Sequence, residues 1–328
     1  MTSRYGEIDR SKLTLAALTS RRHDLDLSII HDLERKRNVD PALQSVGCRI
    51  KAAKEINAGT ILMMGAHVIR SGVQRYIIDL MEQGYISCLA MNGAGVIHDF
   101  ELSLVGGSTE SVAHYIRDGR FGMWHETGQI NDIVTRAAHA QLGLGEAVGK
   151  FIEEERFPRR DISLLAAGYR LGIPVTVHVG IGQDIVHQLP NCDGAAYGAT
   201  SYRDFLRYAG AIEKLEGGVV MNFGSAVMGP EVFLKALSMA RNIAHQSDKK
   251  IAHFTTLVCD LTTLPEQYRT EAPKTDPNYY FRPWKTMLVR TVADGGESHY
   301  VCGRHADTVP QLWSAVTATE TQPKESTI

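Results

Sequence analysis

The chain has 328 residues, 44% of them hydrophobic, with 37 acidic and 35 basic side chains. That composition supplies a sizeable core, in one large domain or two small ones, and the near-balance of charge excludes a broad field of the kind that gathers nucleic acid or anionic lipid. No apolar run approaches the roughly 18 residues of a spanning helix, so the expectation is a soluble, cytoplasmic protein with neither nucleic acid nor membrane as a partner.

In chain order, the first 25 or so residues read as an N-terminal arm, one that packs on another subunit. Residues 60–69 (TILMMGAHVI) have strand character and lead to Arg70, Ser71 and Gly72. In 73–84, Val73, Ile77, Leu80 and Met81 recur at helical spacing, and 85–92 return to strand character. The short links of this strand–helix–strand unit favour a parallel crossover. Asn92 then opens onto Gly93, Ala94 and Gly95, ahead of His98, Asp99 and Glu101. Gly107, Ser108 and Thr109 precede Glu110, which starts a helix near Ser108 or Thr109.

Val175, Val177 and Val179 alternate with polar residues as a strand does, 201–215 form an amphipathic helix, and 218–223 form a strand that ends at Gly224 and Ser225. Pro230 and Glu231 open another helix. Residues 251–260 and 286–292 read as further strands, and 294–300 (DGGESHY) as a hairpin or surface turn. Between them, 261–283 carries Pro265, Pro273 and Pro277; it is a surface excursion or a loop that covers a pocket. The layout is therefore a single α/β domain over 1–316 with its arm, and a polar tail at 317–328. The fold class is α/β, a Rossmann-like, mostly parallel sheet with helices on both faces. Ligands of such sheets bind outside the carboxyl ends of the strands, where Gly65, Asn92, His178, Asn222 and Asp260 gather.

The five cysteines are far apart and form no CxxC, so a disulfide framework is not expected, and Cys88 and Cys259 read as buried thiols. The 13 histidines form neither HExxH nor an HxH pair, and no metal is expected. Three clusters carry chemistry. The glycines after Asn92 either turn the chain or bring backbone N–H groups to a dinucleotide. Asp184 and His187, three apart, either bind an amine and pass a proton or cap and pack a helix. Lys285 beside Trp284 is either a desolvated amine nucleophile or a surface lysine whose stem covers the ring.

Taken as an ordered series over residues 59–290, these stretches resemble the deoxyhypusine synthase-like superfamily. MNGAGVIHD is similar to its TTAGG-type cofactor loop, GAHVIRSG to its earlier dinucleotide loop, IPVTVHVGIGQD to part of its polyamine site, and YYFRPWKT to the segment with its catalytic lysine. The resemblance implies NAD as cofactor, held by Gly65, Ser71, Gly72, Asn92, Gly93 and Ala94. It also implies a homotetramer, amine binding by Asp184 and Trp284, and alkylamine transfer of the aminobutyl type through an imine, with Lys285 as covalent acceptor; the residues themselves add Asp99 and Glu101 as amine-binding candidates and His98 and His187 as proton shuttles.

Three departures stand out: Ile97 and His98 replace paired glutamates, Trp284 and Lys285 are adjacent, and GSAVMGPE lacks the family's lysine and histidine. They turn the expectation toward a small amine or polyamine rather than a protein as acceptor. They also leave two alternatives open: an NAD-dependent deaminating or cyclising enzyme or an amidine hydrolase, and a non-catalytic binding or assembly protein.

Overall fold

The computed structural model describes residues 4–318, so most of the proposed polar tail, from 319 onward, lies outside the described residues. Six parallel strands form the main sheet: β1 (Thr60–Met64), β2 (Cys88–Asn92), β3 (Val175–His178), β4 (Val219–Phe223), β5 (Thr255–Asp260) and β6 (Glu297–Cys302). Their order across the sheet is 3-2-1-4-5-6. This is the doubly wound Rossmann order, whose direction of growth reverses between β1 and β4 and opens a crevice there.

Both faces of the sheet are covered, which is why β1, β3 and β4 are buried along their whole length instead of alternating with solvent. The alternation survives as two cores. Leu62, Met64, Leu89, Met91, Val177 and Met221 point into one, and Ile61, Met63, Cys88, Ala90, Val220 and Val258 into the other. Among the described residues all five cysteines are free, and Cys88 and Cys259 are buried thiols as expected.

Three expectations change. Residues 286–292 are not a strand: Pro283–Arg290 is a helix of wide turns, in which the Thr291 N–H reaches the Thr286 carbonyl at 3.1 Å. Its Trp284, Met287 and Leu288 are buried in the second core and Val289 packs against it, so tertiary burial overrides strand propensity. In 294–300 the expected turn is confined to Asp294 and Gly295, and Glu297 begins β6, an edge strand whose outward face is too polar to have looked like one. Ser108 ends a two-residue strand, Gly107–Ser108, and the helix begins only at Val112.

The arm packs on its own chain. Leu25–Asp26 pairs antiparallel with Gly107–Ser108, Ala16 bridges to Trp124, and Leu18 is buried against Tyr115 and Trp124.

Candidate functional site

At the carboxyl edge β2 runs directly into the helix Gly93–Val105. Asn92 is its cap, accepting the Gly95 N–H at 3.0 Å. The Asp184 carboxylate lies against Gly93, where any Cβ would run into it, and accepts the Ala94 N–H. An anion at a helix N-terminus is favourable, but burial is the larger effect and raises the Asp184 pKa to about 6. The position at which this helix end would hold a phosphate is therefore filled by the chain's own carboxyl group.

One turn of helix is 3.6 residues, so Ala94, Ile97, His98 and Glu101 share a face. That face lines a cavity of about 300 Å³, completed by Arg21, Asp24, Arg70, Thr109, Glu110, Phe121 and Asp184 among others. Asp99 points away from it. Its carboxylate accepts from Ser163 Oγ and from the Leu164 and Leu165 N–H groups at 2.8 and 3.2 Å, at the start of the helix Leu164–Leu171. Burial raises Asp99 to about 6, but its place is structural and outside the cavity.

Glu101 is buried and fully engaged. Arg21 grips it with two N–H groups at 3.0 and 2.7 Å, Thr127 Oγ1 donates at 2.6 Å and Ser108 Oγ at 2.8 Å. Its charge is neutralised by Arg21, so it is not free to bind an amine. Ser108 Oγ also meets His98 Nδ1 at 2.7 Å. A serine hydroxyl has one proton and a carboxylate has none to give. The Ser108 proton is thus committed to Glu101, His98 must donate from Nδ1, and its Nε2 lone pair is left for the cavity. Burial lowers the His98 pKa to about 4, so the ring is neutral near pH 7.

The remaining sequence candidates are placed elsewhere. His187 Nδ1 accepts from the Gly182 and Asp184 N–H groups, each at 3.2 Å, and its ring stands edge-on to Tyr197, so it shapes the loop that presents Asp184. Ser71 Oγ donates to the His67 carbonyl at 2.8 Å, and a Cβ on Gly72 would run into the Ile29 carbonyl. Both are taken up by the chain itself. Gly65 sits at the reversal point, where a Cβ would meet the Gly224 carbonyl. Trp284 is buried in the second core with Nε1 donating to the Tyr268 and Thr270 carbonyls. Lys285 pairs with Glu271 at 3.3 Å and lies 3.8 Å over the Tyr279 ring. Neither lines the cavity that contains His98 and Asp184.

Sequence reading missed Arg21, Asp24 and Thr109 as cavity residues, Ser108 behind His98, and His67 and His305 near the crevice. Asp24 has no carboxylate hydrogen bond or ion pair among the described residues, and Arg70 meets only His67 Nε2, at 3.2 Å. His305 stands over Gly224, with Nδ1 buried and unpartnered. The positive φ of 62° at Thr109 is a strain signal visible only in the structure.

No family model matches the chain, and no curated protein matches it in sequence. Solved structures do match in fold. AgrE, determined as a ternary complex with ornithine and NAD+, is 17% identical with a TM-score of 0.51 over 87% of this chain and 34% of its own. A conserved LOR/SDH protein from Methanococcus maripaludis S2 is 13% identical, with a TM-score of 0.50 over 87% of this chain and 71% of that one. A protein from Entamoeba histolytica described as a deoxyhypusine synthase is 10% identical with a TM-score of 0.41, over 79% and 74% of the two chains; that likeness carries no argument. This chain spans about a third of AgrE. At such identities the likeness shows the shared α/β fold and singles out no family.

Proposed function

We propose that the protein carries out an NAD-dependent transformation of an amine, with the cavity beside the helix Gly93–Val105 as the amine site. The carrying observation is that a neutral imidazole with a free Nε2 and the Asp184 carboxyl group line one cavity. Asp184, with Asp24 opposite, would hold an ammonium group. His98 Nε2 would take the ammonium proton, leaving the amine lone pair free to form a C=N bond as hydride leaves the neighbouring carbon. The imine carbon is then open to water, which releases ammonia and leaves a carbonyl, or to a second amine, which expels the first to give a cyclic or exchanged imine; alkyl transfer would be completed by hydride returned from the reduced dinucleotide.

The dinucleotide would supply the hydride acceptor. The residues that suit it lie at the reversal point between β1 and β4 more than in the sequence-expected set. Asn222 Oδ1 is fully buried there without a partner, and the Gly224–Ser225 turn leads to a helix, Met228–His245, in whose first turn Ser225 Oγ accepts the Gly229 N–H at 2.8 Å. Gly65 and Gly224 let the two strand ends and His305 pack closely around this crevice. Asn92, Gly93 and Ala94 border the same edge, but their N-terminal hydrogen bonds are satisfied by Asn92 and Asp184.

Direct attack on the imine is favoured over lysine-linked alkylamine transfer, because the Lys285 ammonium is matched by Glu271 and the Tyr279 ring and is absent from the cavity wall. AgrE, similar in fold and bound to ornithine and NAD+, supports an amine and NAD as the pair of ligands. Transfer through Lys285 would need the lysine to serve the cavity of a second copy. Incubation with NAD and a panel of diamines, polyamines and dibasic amino acids separates the cases. Ammonia or a cyclic product without protein modification is the expected result. A mass increase on Lys285 would restore the transfer reading, and failure of NAD to bind by calorimetry would leave a non-catalytic binding protein.

A further inference from the structure

We infer that Arg21, on the N-terminal segment, is a positioning residue for His98, acting through Glu101 and Ser108 to hold the ring in the Nδ1–H tautomer; this rests on reading His98 as the proton acceptor of the cavity. The geometry is a chain of committed donors. Arg21 spends Nη1 and Nη2 on the two Glu101 oxygens and Nε on His23 Nδ1 at 3.1 Å, and its guanidinium stacks 5.7 Å from the Trp124 ring centre. With side chains 1% exposed on both partners, the pair is held without competition from water.

The Arg21 guanidinium can only donate and faces both Glu101 oxygens, and Glu101 in turn accepts the Ser108 hydroxyl proton. Ser108 is left only lone pairs toward His98. The same segment fixes the serine backbone, since Leu25 pairs with Ser108. The arm thereby sets both ends of the relay, and which nitrogen of His98 faces the cavity follows from it.

The test uses the full-length protein labelled with ¹⁵N histidine, without ligand, and long-range ¹H–¹⁵N spectra at pH 7, with His98 assigned by loss of its signals in His98→Asn. In the parent protein the expected pattern is a protonated Nδ1 and an unprotonated Nε2. Ser108→Ala cuts the relay but leaves the ion pair intact, and should bring the opposite tautomer into the spectrum. Arg21→Gln should do the same, and Arg21→Lys should restore the parent pattern in part. If Arg21→Gln does not fold, Ser108→Ala still decides.

A parent protein with Nε2 protonated, or a folded Ser108→Ala protein with an unchanged tautomer, overturns the inference. If amine turnover is found, kcat should fall about tenfold in Ser108→Ala with KM little changed. If the tautomer moves but no amine is consumed, the proposed reaction fails while the relay stands.

Discussion

The two halves of the sheet's carboxyl edge use the same residue types in opposite ways. Around β1, β2 and β3 the charged groups are buried and their proton affinities displaced, with His98 lowered to about 4 and Asp184 raised to about 6, in both cases chiefly by desolvation. Around the helix Pro283–Arg290 the charges are paired nearer the surface: Lys285 and Arg290 with Glu271, and Arg282 with Glu231. Exposed pairs are worth about 0–1 kcal/mol, whereas each unit of displaced pKa is about 1.4 kcal/mol. A histidine lining a polar cavity and a lysine in an ion-pair group look equally promising as letters. What separates them is their partners: Lys285, its side chain only 12% exposed, is matched by Glu271 and the Tyr279 ring, whereas His98 keeps Nε2 for the cavity.

The sharpest way to break this contrast is to remove one group from each half. His98→Ala should lower kcat/KM by about 10²- to 10⁴-fold, the usual contribution of a positioned acid or base, while Lys285→Ala should stay within about threefold. Steady-state rates on any amine found in the panel decide it. A collapse of activity in Lys285→Ala with His98→Ala nearly unaffected would reverse the assignment of the two halves.

Stability gives a second, activity-free comparison. Arg21→Met leaves the Glu101 carboxylate buried without its cation and should cost about 3–5 kcal/mol. Glu271→Ala, which removes an exposed carboxylate from Arg290 and Lys285 and leaves Lys285 its contact with the Tyr279 ring, should cost no more than about 1 kcal/mol. Urea unfolding midpoints at constant slope report both. Equal losses would mean that the two halves are energetically alike.

How much of this was legible in the sequence follows the same division. Strands β1 to β5 announce themselves because buried apolar runs end in small or polar residues, and the carboxyl-edge set from Gly65 to Asp260 follows from them. β6 did not, because an edge strand with polar outward positions carries little hydrophobic signal. The cavity face was within reach: a helix starting at Gly93 puts His98 and Glu101 on one side and Asp99 on the other by turn geometry alone. The partner of Glu101 was not, because Arg21 lies 80 residues earlier in sequence and no local spacing encodes such a contact. Nor could spacing tell that Asp184, not a phosphate, caps the glycine turn.

The pH dependence of amine binding sharpens the contrast at intermediate size. Asp184 must be ionised to hold an ammonium group, and its pKa is raised to about 6 from 3.8. Affinity should therefore fall as pH drops through about 6, by about tenfold per unit below it, and Asp184→Asn should weaken binding and flatten that limb. His98, lowered to about 4, stays neutral over the same window and contributes no limb there. Stability runs the other way for Asp184: a folded pKa above the unfolded one favours the fold below pH 3.8, and that contribution is lost as pH rises through about 6. A binding midpoint near pH 4 would show that Asp184 is not the group that meets the amine.

The smallest expected effect concerns backbone strain. Thr109 lines the cavity with φ at 62°, a conformation costly for a β-branched residue, and its buried Oγ1 has no partner. Such strain costs about 1–3 kcal/mol and persists only where the surroundings impose it; here the antiparallel pair of Leu25–Asp26 with Gly107–Ser108 and the Asp24 N–H on the Thr109 carbonyl impose it. Glycine relieves the strain but loses up to about 1 kcal/mol through the freer unfolded chain, so Thr109→Gly should raise stability by about 1 kcal/mol in thermal unfolding. Asp248, with φ at 54° just after the helix Met228–His245, provides the control: an exposed aspartate tolerates the left-handed region, and Asp248→Gly should change stability by less than about 0.5 kcal/mol. If the cavity needs the Thr109 hydroxyl, the stabilised variant should bind amine more weakly. A variant that gains stability and keeps full affinity would separate the strain at this wall from the chemistry inside it.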